Sequence, residues 1–250
     1  MKALLWKDVH INRAMLCATA ILLAFPYVIA AALQTYWHYR HSHPYEPWSP
    51  LLMYTGLWSL GLSILGVTLL AGNAFAGERA DRSAEFLASV PVSRRAVLTS
   101  KALVLLTAGV LIWLLNLGVI YGFTHGLPTT ASYREVWEPD ARGAFHVSNP
   151  QQAEGVLRDR DEALPLLALT TFLAVGVAWG GSCLARSPAL AACAGLGAPI
   201  VLGMVFAIVS GALPENSGFR PGPWYALVCL VLGAAGCIGG TCYYLRRVEP

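Results

Sequence analysis

The sequence predicts an all-α membrane protein: six transmembrane helices, an N-terminal interfacial helix, and a short cytoplasmic helix between the second and third spans. Three observations predict it. Of the 250 residues, 56% are hydrophobic and only 12% charged, where a soluble domain carries about 25%. The charges gather into a few short stretches and leave six windows without Asp, Glu, Lys or Arg: Ala14–Thr35, Leu51–Gly77, Ala102–Leu127, Ala163–Ala185, Ser187–Pro214 and Pro221–Leu245. Each window meets or exceeds the roughly 20 residues a helix needs to cross the hydrocarbon core, and none shows the polar stripe of a soluble amphipathic helix. The third observation is the distribution of charge between the two sides. With six spans, 11 of the 17 basic residues fall on the side that holds both termini, which makes that side cytoplasmic.

Residues 1–13 mix Leu4, Leu5, Trp6, Val9 and Ile11 with Lys2, Lys7, Asp8 and Arg13, the composition of a helix lying in the interface with Trp6 at headgroup depth. The first window is too long for the apolar region of a signal peptide and reads as a retained span. Pro26 and Pro199 lie inside windows, where they predict kinks. Ser187 is placed to cap the fifth span, with Pro188 in its first turn, and Pro223 stands in the first turn of the sixth. Glycines recur four apart at Gly118 and Gly122, Gly176 and Gly180, and Gly236 and Gly240, a spacing that lets membrane helices approach closely. The outer loop 124–161 is the longest polar stretch. Within it Tyr133–Trp137 and Gln151–Arg160 are each expected as a short helix, the second starting at Asn149–Pro150.

Several function classes are excluded or left without support. All six cysteines fall inside apolar windows, which argues for packing rather than a disulfide framework. His38, His41 and His43 in the first outer loop supply three imidazoles, one fewer than the usual four ligands, so no metal is expected. No basic face stands apart from the apolar windows, so no nucleic acid partner is expected. An intramembrane enzyme needs a nucleophile with its base, or paired acids, at membrane depth, and no window carries an acid. No phosphate-binding loop is present. The polar and aromatic groups left within the spans are mild: Asn73, Asn116, Trp58, Trp113 and Trp179 are the residues with which a substrate cavity could be lined.

The stretch 78–95 is the cytoplasmic segment with the most chemistry. Glu78 to Ser89 reads as an amphipathic helix, with Ala80, Ala84, Leu87 and Ala88 on one side and Asp81, Arg82, Glu85 and Ser89 towards the other. Glu78 and Arg82 stand at a supportive helical spacing. Val90–Pro91 ends this helix, and Ser93 is placed to cap a new one beginning at Arg94 and Arg95. A short helix presented in this way fits a partner's groove.

Here the sequence resembles a family. Glu78–Arg79, Ala84–Glu85–Phe86–Leu87, Ser89 and Pro91–Val92–Ser93–Arg94, following a long second span, are similar to the coupling loop of ABC transporter permeases of the type-2 (ABC-2) exporter class. Leu4–Asp8 is similar to that family's elbow helix. The resemblance implies a permease without its own ATPase motifs, coupled to two copies of a separate cytoplasmic ABC ATPase that holds the ATP and magnesium. It implies Glu78, Arg82, Glu85, Phe86, Leu87, Pro91 and Arg94 as the coupling residues, a second permease copy or a homologous permease as partner, and the bacterial inner membrane as location. Membrane lipid is the remaining partner. The sequence departs from family members that place a large outer segment between the last two spans, since here it follows the third. The alternatives are a non-transporting anchor that transmits force from an ATPase, and an intramembrane enzyme.

Overall fold

A computed structural model describes residues 2–41, 48–80, 93–124, 150–212 and 221–247. Every element among them is an α-helix: α1 (Lys2–Ile11), α2 (Arg13–His41), α3 (Trp48–Ala80), α4 (Arg94–Thr124), α5 (Pro150–Leu184), α6 (Pro188–Ala212) and α7 (Pro221–Arg247). Six of the seven, α2 to α7, are long and apolar enough to cross a membrane. Their burial is uneven. The apolar stretch of α3 is 72% buried, against 11% or 17% for those of α2, α4, α6 and α7, so α3 is the packed helix while the others turn large side chains such as Leu106, Leu114, Ile200 and Val231 outward. In lipid that exposure costs nothing, because acyl chains are as apolar as leucine.

The helices overrun the apolar windows, and the overrun corrects two expectations. Glu78 does not open a separate helix: α3 continues through Glu78 and Arg79 to Ala80. Gln151–Arg160 is not a short helix of its own either. The helix that begins at Pro150 continues through Asp161 and Glu162, and then through Pro165, to Leu184. Tyr133–Trp137 lies outside the described residues. Helices α2 and α6 run unbroken through Pro26 and Pro199. The caps read from the sequence are in place. The Ala96 N–H donates to Ser93 Oγ at 3.3 Å, and the Leu190 N–H lies 3.5 Å from Ser187 Oγ.

The chain divides into two compact units. The first is Met1–Ala20, Ser63–Val110 and Leu166–Pro250. Its core is Ala74, Phe75, Trp179 and Cys183, packed against Leu98, Ala102, Leu105 and Tyr244. Here α5 and α7 meet backbone to backbone. A Cβ at Gly180 would lie 2.7 Å from the Gly236 carbonyl oxygen, and one at Gly240 would lie 2.6 Å from Gly180 Cα. Two of the three glycine pairs are therefore the two faces of one contact, while Gly118 and Gly122 face open space.

The second unit is Ile21–Leu62 and Leu111–Pro165. Met53, Leu60, Ile112 and Ile120 are buried in it. Neutral hydrogen bonds cross it: Tyr27 Oη donates to Asn116 Oδ1 at 2.8 Å, and Ser59 Oγ donates to the Leu23 carbonyl at 2.8 Å.

Candidate functional site: an ion cluster at the two roots of segment 81–92

In the first unit, α3 ends at Ala80 and α4 begins at Arg94, and residues 81–92 between them lie outside the described residues. The last turn of α3 offers Glu78 and Arg79. On α4, Val97, Ser100 and Lys101 are buried, a spacing of three and four that puts them on one helical face. Helix α1 buries only Asp8.

These groups close into a charge-neutral cluster of two carboxylates and two ammonium groups. Lys7 Nζ lies 2.7 Å from Glu78 Oε1, and Lys101 Nζ lies 3.0 Å from the same oxygen. Lys101 Nζ is also 3.6 Å from Asp8 Oδ1, and Lys7 Nζ 4.0 Å from it. Ser100 Oγ donates to Asp8 Oδ2 at 2.5 Å. The side chains of Asp8 and Lys101 are each 4% exposed and that of Glu78 8%, so water does little to screen them, and each charge needs the others. The Phe75 ring centroid lies 5.5 Å from Lys101 Nζ, within cation–π range.

Further contacts tie neighbouring helices to the same turn. Arg79 Nη2 donates to the Cys183 carbonyl at 2.6 Å and Nη1 to the Ala185 carbonyl at 3.2 Å, satisfying carbonyls that the end of α5 leaves open. Phe75 meets Trp179 edge-on at 5.1 Å and Tyr244 at 4.4 Å. Asn12, the single residue between α1 and α2, donates from Nδ2 to the Asp8 carbonyl at 2.8 Å. Its Oδ1 accepts from Asn73 Nδ2 at 2.9 Å. The joint between α1 and α2 is thus pinned to α3.

Of the residues singled out from sequence, Glu78 belongs to this cluster and Arg94 starts α4, its Nη1 3.5 Å from the Leu245 carbonyl of α7. Arg82, Glu85, Phe86, Leu87 and Pro91 lie outside the described residues. Asn73 is engaged by Asn12, and Trp179 is buried with its Nε1 donating to Thr241 Oγ1 at 3.2 Å. In the second unit, Asn116 is 1% exposed and hydrogen-bonded to Tyr27 and to the Ile112 carbonyl. Trp58 is 70% exposed and Trp113 is partly buried. His38 and His41 fall in the last turns of α2, but their side chains, like the whole of His43, lie outside the described residues. Among the described residues no group of three or more His, Cys, Asp or Glu stands together as metal ligands.

Sequence reasoning missed Lys7, Asp8, Ser100 and Lys101 as a site, reading Lys7 and Asp8 only as parts of an interfacial helix. The signal was present in their placement. Asp8 precedes the first span, Glu78 ends the second and Lys101 enters the third, so opposite charges stand at helix ends that topology puts on one side of a membrane.

A comparison with known families bears on this arrangement. Residues 6–135 match the model of the ABC-2 family transporter protein family, a stretch of just over half the chain that contains every member of the ion cluster. No curated protein and no solved structure matches the chain. Six apolar helices long enough to span a bilayer, together with that match, make the chain a multi-pass membrane protein belonging to the ABC-2 transporter family.

Proposed function

We propose that this chain is the membrane-spanning permease subunit of an ATP-driven exporter, and that a separate ATPase drives it through the stretch 78–95. The observation that carries the reading is the anchoring of both roots of segment 81–92 in one buried ion cluster that also holds α1. A push on that segment is delivered to the ends of α3 and α4 together. Breaking a buried ion pair by removing one partner costs about 3–5 kcal/mol, so the roots and α1 carry load before they part. Helix α3, the most buried helix, then passes the displacement on as the rigid-body rocking by which packed helices switch between states.

In this reading both termini and segment 81–92 face the cytoplasm of a bacterial cell, and the membrane is the inner one. Two ATPase copies bind ATP and Mg²⁺ and contact Arg82, Glu85, Phe86, Leu87 and Pro91. A second permease, identical or homologous, completes the membrane pathway. This chain contributes positioning and motion rather than covalent chemistry, as permeases of the family generally do.

The test is co-purification with an ATPase followed by transport in proteoliposomes. Glu85→Ala or Leu87→Ala is expected to leave ATP hydrolysis by the complex largely intact while substrate flux falls at least tenfold. Undiminished flux with residues 81–92 scrambled would overturn the reading. ATPase binding without flux under any condition would favour a force-transmitting anchor instead.

A further inference from the structure

Lys101 stands between two carboxylates that belong to different helices. Its Nζ is 3.0 Å from Glu78 on α3 and 3.6 Å from Asp8 on α1, a difference of 0.6 Å. Lys7 is likewise nearer Glu78 than Asp8, at 2.7 Å against 4.0 Å. Both cations therefore favour Glu78, and the shortest partner of Asp8 is the Ser100 hydroxyl at 2.5 Å. A lysine ammonium is a compact charge with three donors on a flexible stem. It can pass from one carboxylate to the other without either being stranded, provided a second lysine stays behind. Lys7 is that lysine. Being adjacent on α1, Lys7 and Asp8 can hold α3 and α4 at the same time.

We propose that Asp8, Glu78, Lys101 and Lys7 form a partner-exchange latch. In the arrangement seen here Lys101 joins α4 directly to α3 through Glu78. When the root of α3 moves away from α4, Lys101 transfers to Asp8 while Lys7 keeps Glu78. The two roots are then connected through α1 alone, each cation facing one anion. Helix α1 acts as a strap that limits how far the roots separate, and Lys101 is a positioning residue that sets which of two spacings they adopt. The inference rests on the reading that segment 81–92 is pulled by a partner.

The test measures the spacing of the roots directly. Nitroxide labels at Ala80 and Arg95, both exposed, are introduced as non-natural amino acids so that the six native cysteines remain in place. Their separation is read by double electron–electron resonance on the purified full-length permease without nucleotide. Glu78→Gln leaves Lys101 with Asp8 and is expected to lengthen the distance by about 1–2 Å, the scale of helix shifts at switching interfaces. Asp8→Asn leaves Lys101 on Glu78 and is expected to hold the distance at or below that of the unmodified chain. If Glu78→Gln does not accumulate, Glu78→Asp, which shortens the arm and keeps the charge, is expected to move the distance the same way by less. Equal lengthening in Asp8→Asn and Glu78→Gln would mean simple loosening and would overturn the latch, as would no change in either. Because no ATPase is present, this outcome stands apart from the transport assay. Lengthening in Glu78→Gln but not in Asp8→Asn, with flux unaffected by either substitution, would keep the latch and sink the coupling reading. Unchanged distances with flux lost in both would do the reverse.

Discussion

The two units solve the same problem, holding helices together where water is scarce, with different chemistry. In the first unit neutral contacts such as Asn73 with Asn12 and Trp179 with Thr241 stand beside an ionic and shielded set: Asp8, Glu78 and Lys101 are buried together, and Arg79 reaches across to α5. The second unit uses neutral groups in its interior, Tyr27 with Asn116 and Ser59 with the Leu23 carbonyl. Its ion pairs among the described residues lie on α5: Arg158 meets Glu162 with side chains 76% and 66% exposed, and Arg160, 16% exposed, meets Asp161 at 62%. A buried ionic set is costly to assemble and costly to break. A neutral interhelical bond in a membrane is modest either way. The first unit is therefore the one in which a small displacement carries a large energetic consequence, and that unit holds the roots of segment 81–92.

Substitutions can break or sharpen this contrast. Lys101→Ala should have the largest effect, destabilising the protein by about 3–5 kcal/mol, since it leaves two buried carboxylates with Lys7 alone; thermal unfolding in detergent against the unmodified chain would read it. Next comes Gly236→Leu, whose Cβ would meet Gly176 and the Val177 nitrogen at 3.0 Å or closer. Overpacking of this kind costs about 1–3 kcal/mol and should lower the unfolding midpoint, while Gly118→Leu, facing open space, should not. Tyr27→Phe removes one neutral bond of the second unit, and about 0.6 kcal/mol is expected. A loss as large as that of Lys101→Ala would erase the distinction between the units. Arg158→Ala should leave the midpoint where it is, because an exposed pair is screened by solvent.

The spans were legible because insertion into lipid is a sum over side chains, and a run of uncharged residues announces itself. Where each helix ends was harder. Hydropathy registers the cost of a charge at the membrane edge but not whether a partner awaits it, so Glu78 and Arg79 read as the start of a new element when they are the last turn of α3. Gln151–Arg160 read as a separate helix for the same reason. Asp161 and Glu162 looked like a boundary, yet no helix breaker stands between them and Ala163, and Arg160 is held by Thr124 Oγ1 at 3.0 Å and by the Tyr121 ring. The ion cluster itself was out of reach. Its members are as much as 94 residues apart, from Lys7 to Lys101, and nothing in their local surroundings says which cation meets which acid. Glycine spacing fell between these cases: the fourfold period marked three pairs, and only packing could tell that two of them face each other.

The wide spacing of the cluster along the chain also has a meaning in time. Asp8 is made before α2 to α7, and its partner Ser100 follows 92 residues later, about 5–18 s at ribosomal rates of roughly 5–20 residues per second. Throughout that interval Lys101 is absent, so Asp8 and Glu78 lack the cation that the finished cluster places between them. The cluster closes only when the third span arrives with Lys101. The set of four charges is therefore complete only after α1, α3 and the start of α4 have all been made, and a chain stalled before residue 101 would leave both carboxylates with Lys7 alone.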